Sequence, residues 1–302
     1  MFQYSKKQVT YDIGGIKVGG EVGENSTVMI GSIFYKGDKL VSDEKTGAFD
    51  KEKARELISK VEEMSERTGL SAMIDVVCTY PETARGYLEF VANVTRMPLL
   101  IDAVSEEAAV AGLEVAKELG IIDRTILNSI NPETREKVFR KIREAGLKSA
   151  LLLTYSTKAI ISSKERITLL ETMIPKVEAV GIEKMLVDTV VIDIATLGLA
   201  CKAIREVKER FGLPTGCGAH NAISSWKALK EKKDKTLTLT CSSVASSLPI
   251  AIGADFVLYG PISDAPIIFP AVSLINVAFG QVLMEDGKRL PPTHPRFRIT
   301  RF

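Results

Sequence analysis

Five polar residues interrupt or end short apolar runs: Asp75 in MIDVV, Asp102 in LIDAVS, Asn128 in ILNSIN, Asp188 in MLVDTV and Asn221 in GCGAHN. Carboxylates and amides make up the set, and no lysine, arginine or Cys/His cluster joins them. Such a set suits a neutral heterocycle rich in N–H groups. A carboxylate accepts two parallel hydrogen bonds from an amino group and a neighbouring ring N–H, and asparagine offers one donor group and one acceptor. The pterin head of a folate-type cofactor, a 2-amino-4-oxo pyrimidine fused to a second ring, has that edge.

Other chemistries fit these residues less well or equally. A retaining glycosidase also uses two carboxylates but needs sugar-stacking aromatics, and the chain is 6% aromatic. A Schiff-base aldolase needs a lysine on a late strand, for which only Lys158 after LLLTYST offers itself. A phosphosugar site would use glycines and helix N-termini after the last two strands; GCGAHN and YGPIS supply them, so that reading stays open beside the pterin one.

The elements that must position these residues alternate regularly. Eight short apolar runs read as buried parallel strands: TVMIGSIFY (27–35), AMIDVVC (72–78), LLIDAV (99–104), TILNSI (125–130), SALLLTY (149–155), KMLVDTV (184–190), LPTGCG (213–218) and DFVLYG (255–260). Charged stretches of helical period, such as DKEKARELISKVEEMSERTG and SEEAAVAGLEVAKELG, separate them and stop near glycines. Eight alternations predict an α/β fold of the (β/α)8 TIM-barrel type, with chemistry at the C-terminal strand ends. An open doubly wound sheet is the runner-up, but GSIFYKGDKL lacks the G-x-G-x-x-G turn after the first strand.

We expect one domain over 1–302. Its N-terminal segment, 1–26, includes a hairpin around Gly14-Gly15 in VTYDIGGIKV that plugs one barrel end. The basic, Pro-rich tail, 285–302, reads as a strap over the surface, and KEKKDK (230–235) as a solvated charge run. A composition of 45% hydrophobic and 26% charged residues allows a sizeable core without staples, and a net charge of +2 gives no basis for a nucleic-acid partner. Four dispersed cysteines without CxxC spacing suggest a reduced setting and no metal site. No apolar signal region or membrane-spanning run is apparent, so a cytoplasmic protein with no membrane insertion is expected.

The motifs YDIGGIKVGG with GEN, MIGSIFYKGDKLV, FDKEKA, LIDAVSEEAAVAGLEVAKELG, ILNSINPE, VDTVVIDIATLGLACKAI and FGLPTGCGAHNAISSWK run in order along almost the whole chain. In them the chain resembles the H-subunit family of tetrahydromethanopterin S-methyltransferase, including soluble bacterial relatives that use tetrahydrofolate. The resemblance implies a methyltransferase moving a methyl group between a corrinoid cobalt and N5 of a tetrahydropterin. Tetrahydrofolate is expected ahead of tetrahydromethanopterin, and the corrinoid comes from a partner, either a corrinoid protein or free methylcobalamin. A homodimer is also expected.

By the same resemblance Asp75, Asn128 and Asp188 bind the pterin, and Asn221 approaches N5 as the catalytic amide. Asp102 joins the binding set, although it would serve equally to hydrogen-bond a loop or a helix N-terminus. At Val104-Ser105 the chain departs from the asparagine common in the wider group, and Ser105 is expected to make part of that contact. Plainer uses exist for the others: Asn221 or Ser224 capping the next helix, Asn131 capping the one after Asn128, His220 at the surface, and Cys217 as a small buried residue. Two alternatives remain: a tetrahydromethanopterin-dependent component of a larger complex, docking by the basic tail, and another pterin or phosphosugar barrel enzyme.

Overall fold

The computed structural model describes residues 3–299; Met1, Phe2 and the tail's end, 300–302, lie outside the described residues. Eight parallel strands close into a barrel: β1 (Val28–Ile33), β2 (Ser71–Cys78), β3 (Leu99–Ala103), β4 (Thr125–Ile130), β5 (Ser149–Leu153), β6 (Lys184–Asp188), β7 (Thr215–Cys217) and β8 (Phe256–Pro261). Each strand pairs with its sequence neighbour, and β8 pairs with β1, so no edge is left open. Outside them lie α1 (Lys51–Thr68), α2 (Ala84–Val94), α3 (Glu106–Glu118), α4 (Glu136–Ala145), α5 (Ser163–Glu178), α6 (Ile194–Arg210), α7 (Lys235–Ala251) and α8 (Ala265–Glu285).

Every expected strand forms, though several are shorter than their apolar runs. After Ile33 the chain leaves β1: Phe34 has φ 64° and stacks its ring on Tyr87 of α2, 4.2 Å between centroids. Its burial therefore comes from a helix contact, and the apolar run overstates the strand. β5 stops at Leu153, and β7 has only three paired residues. Helix boundaries follow their capping residues. Asp50 accepts from the Lys53 N–H to start α1, and Gly69 ends it at φ 75°, where a Cβ would be strained.

Two apolar populations alternate along the strands. Outward side chains such as Ile74, Ile101, Leu127 and Val187 meet the helices. Inward ones, Val28, Ile30, Met73, Leu100, Ile126, Leu151, Leu186, Phe256 and Leu258, fill the barrel. The N-terminal hairpin, Thr10–Ile13 paired with Ile16–Gly19, adds Ile13 and Val18 to that inner set and closes the N-terminal end, as expected. Lys184, the first residue of β6, fastens it by donating to the Asp12 carbonyl (2.6 Å). The tail does form a strap: buried His294 bonds the Gly23 carbonyl (3.1 Å), and Pro295 is buried beside Gly69.

One helix departs from the sequence reading. The span Ile262–Glu285 is long and apolar enough to cross a membrane by length and composition. Here it is a barrel helix, with Ile268, Phe269, Val272, Asn276 and Leu283 of α8 buried. Its length comes from a core face and an apolar outer stripe together.

Candidate active site at the barrel mouth

Strand alternation selects the site. Two residues beyond each inward apolar side chain, the next inward positions are Ser32, Asp75, Asp102, Asn128, Leu153 and Asp188. Apart from Leu153 on β5, the barrel interior thus changes from apolar to polar in one layer at the C-terminal ends of its strands. On β7 the inward position is Gly216, and Gly218 follows just past the strand's end. A Cβ at Gly216 would lie 2.1 Å from the Phe256 carbonyl oxygen, so only glycine lets Phe256 fill that sector.

One wall of the layer is a hydrogen-bonded set. Ser32 donates its hydroxyl to Asp75 Oδ2 (2.7 Å), and Asn128 donates Nδ2–H to Asp75 Oδ1 (3.0 Å). Asp75 is 1% exposed, and burial pushes its carboxyl up to about 6 in spite of the two donors. Its grip fixes the amide, and the Asn128 side-chain carbonyl oxygen takes no hydrogen bond from the described residues. Asp102, on the neighbouring strand and in register with Asn128, is half-buried and bonds to no described residue. Burial first, then the charge of Asp75, push its carboxyl well above the usual carboxylate range.

A second group comes from β6, four strands round the barrel from β2, and from the segment after β7. Asp188 Oδ1 accepts from the Val190 N–H (2.7 Å), and the Gly218 N–H also reaches the carboxylate. Burial again pushes the acid up to about 6, against the pull of those N–H groups and of Arg166. Asn221 lies on a short helix, His220–Ser224, directly after β7. A Cβ at Gly218 would lie 3.2 Å from Asn221 Nδ2, so the glycine joining Asp188 to Asn221 also leaves the amide its space. Among the described residues the Asn221 amide takes no hydrogen bond.

The other expected residues fall elsewhere. Ser105 caps α3, accepting from the Ala108 N–H (3.2 Å), and lines a side cavity of about 350 Å³ with Ser129, Asn131 and Arg135. Asn131 accepts from the Glu133 N–H in a turn that ends before α4, and neither Asn221 nor Ser224 caps a helix. His220 is no surface histidine. Its Nδ1–H donates to the Leu258 carbonyl (3.0 Å), its ring covers Gly260, and burial lowers its pKa, so it is a neutral tie between the last two strands. Cys217 is buried and outward-facing, and Lys158 is exposed on the Thr157–Ile160 turn.

Two residues escape sequence reading. Ser32 was marked only by its alternation with Val28 and Ile30. Arg166, fully buried in α5, looks like any charged helix residue in SKERITLLE.

The architecture is that of the barrels of dihydropteroate synthases. The Yersinia pestis enzyme with a pterine-sulfa conjugate aligns with TM-score 0.62 at 12% identity, over 89% of this chain and 99% of that one. The Xanthomonas albilineans enzyme with 4-aminobenzoic acid aligns with TM-score 0.61 at 15%, over 92% and 99%. At such identities the likeness is one of fold. Sequence carries the assignment further: the family model of the tetrahydromethanopterin S-methyltransferase MtrH subunit matches residues 6–290. The H-subunit of tetrahydromethanopterin S-methyltransferase from Methanothermobacter thermautotrophicus is 36% identical over 99% of this chain and all of its own length. The H-subunit of the putative mtx methyltransferase of Methanosarcina barkeri is 32% identical over 98% of each. The chain belongs to this methyltransferase subunit family.

Proposed function

We propose that the barrel mouth binds the head of a reduced pterin and that the chain moves a methyl group between pterin N5 and a corrinoid cobalt supplied by a partner. The observation that supports this is the inward layer of Ser32, Asp75, Asp102, Asn128 and Asp188 at the C-terminal strand ends, with the Asn221 amide on the short helix just after β7. The 2-amino and ring N–H groups of a pterin are donors, and this layer is mostly acceptors. Among the described residues it contains three carboxylates and no cation, which disfavours a phosphate dianion and with it the phosphosugar reading.

The chain's part in the reaction is positioning and control of charge on N5. The corrinoid supplies or accepts the methyl group by displacement at a saturated carbon, which needs no enzyme nucleophile. Asp188 anchors the pyrimidine edge through a charge-assisted bond of about 1.5–3 kcal/mol, and Asp102 accepts beside it. Asp75 acts through Asn128. The Asn221 amide, free to rotate, accepts from N5–H or donates to the N5 lone pair. It cannot supply a proton, so the net proton comes from water.

Around the mouth, the loops after β3, β5, β6 and β7 expose Val104, Tyr155, Ile161, Ile192, Ile194 and Trp226; Val104 and Ile161 are 66% and 79% exposed. A protein delivering a corrinoid to N5 must cover this rim, so we place its docking there. The homodimer is placed on a second apolar surface, the stripe Leu237, Val244 and Leu248 of α7 with Ile267 and Leu274 of α8.

The layer addresses only the pterin head, which tetrahydrofolate and tetrahydromethanopterin share; the relatives' names favour the latter over the tetrahydrofolate preference read from sequence. Following the loss of methylcobalamin absorbance with each pterin in turn tests the proposal. Turnover by the free chain supports it. Pterin binding without turnover points to a protein that works only inside its complex, and failure to bind either pterin overturns the reading.

A further inference from the structure

We propose that Arg166 is a positioning residue that keeps Asp188 ionised and correctly aimed for its ligand by clamping the loop behind it. This rests on the reading above for the identity of the ligand, but not for the clamp itself. The guanidinium is fully buried and has no carboxylate in ion-pair contact among the described residues. Its four hydrogen bonds all go to main-chain carbonyls of the loops that follow β5 and β6: Nε to Ala159 (2.8 Å), Nη2 to Ile160 (3.2 Å), and Nη1 to both Thr189 (2.6 Å) and Val190 (3.0 Å). A buried, permanently charged group spent wholly on loop carbonyls holds geometry, because a neutral side chain would be the cheaper filler.

Val190 is the link. It is β-branched yet held at φ 62°, a conformation such residues avoid. Its carbonyl accepts from Arg166 while its N–H donates to Asp188 Oδ1 at 2.7 Å. One residue thereby joins the buried cation to the acid, and Arg166 also acts on Asp188 directly through its charge. The groups acting on Asp188 are Arg166 from α5 and the Val190 and Gly218 N–H groups, while the outward-facing Cys217 thiol of β7 lies close enough to feel its charge. Burial raises the thiol far above its usual range, so it stays neutral and Arg166 is the cation in that set. Without Arg166 the acid loses its counter-charge, Val190 is free to relax, and the carboxyl takes up a proton at a higher pH.

The test compares the wild-type chain with Arg166→Lys and Arg166→Met, in protein carrying ¹³C-labelled aspartate carboxyls, the Asp188 signal being assigned by its loss in Asp188→Asn. The titration midpoint of Asp188 is read without ligand, and tetrahydrofolate affinity is then measured across pH 5.5–9. In Arg166→Met the midpoint should rise by a unit or more. For a one-unit rise, affinity should fall about eightfold at pH 5.5 and about twofold at pH 7, and match the wild type at high pH. Lysine, with the charge but not the planar fork, should fall between; should the methionine variant not fold, the lysine midpoint decides. An unmoved Asp188 midpoint in the folded variants, or an affinity loss equal at every pH, overturns the proposal. A raised midpoint in a chain whose wild type binds no pterin would uphold the clamp and reject the ligand.

Discussion

Asp75 spends both carboxylate oxygens inside the protein, one on Ser32 and one on Asn128, whereas Asp102 and Asp188 keep acceptor capacity toward the mouth. The two fully buried acids are also a cost. Asp75 and Asp188 each have a folded-state pKa near 6, above the ordinary value of 3.8, so the folded chain holds more protons than the unfolded one between about pH 4 and 6. Stability from these groups is therefore present at low pH and lost as pH rises through 6. Asp188→Asn keeps an acceptor for the Val190 N–H without the charge. Thermal melts should show it gaining stability over the wild type at pH 8 by a few kcal/mol at most, and no advantage near pH 4. A variant less stable than the wild type at pH 8 would mean that the ionised acid holds the fold. Ser32→Ala frees one Asp75 oxygen and loosens Asn128; calorimetry should find pterin binding weakened by roughly fivefold to tenfold, with about 1 kcal/mol lost.

At the scale of elements, the parts of the molecule divide into those that face the ligand and those that close the barrel beneath it. The hairpin residues Ile13 and Val18 complete the inner core at the end remote from the mouth. Ile13→Ala should cost about 2–4 kcal/mol in denaturant unfolding and leave pterin affinity unchanged; an affinity loss would show that strain travels up the barrel. The eight strands were legible because each is buried on both faces and reads as an apolar run bounded by turn residues. Asp75, Asp102, Asn128 and Asp188 were legible because a polar residue inside such a run is conspicuous. Other features have no local signature. Phe34 extends an apolar run although it packs on a helix, and Ser32 is one small residue among many. The burial of Arg166 depends on carbonyls 6 to 24 residues away. The outer stripe of α8 merges with its core face, so its length reads neither as a barrel helix nor as anything else.

At the scale of the whole molecule, the barrel presents two apolar surfaces with different work assigned to them. The mouth rim is placed against a corrinoid-bearing partner, so Ile161→Asp should slow methyl transfer from a corrinoid protein several-fold while leaving pterin affinity as it was; unchanged transfer would remove the rim from the docking surface. The α7–α8 stripe is placed against a second copy. Val244→Asp with Leu274→Asp should give a monomer by light scattering, and a wild-type chain that is itself monomeric would reject the assignment. Both surfaces matter only if the mouth is built for a pterin. The direct measurement is calorimetric titration of the wild type, Asp188→Ala and Asn221→Ala with tetrahydropterin at pH 7.5. The account predicts that Asp188→Ala binds roughly ten- to a hundredfold more weakly, and that Asn221→Ala binds almost as well as the wild type but transfers methyl far more slowly. Equal affinity in the wild type and Asp188→Ala would contradict it.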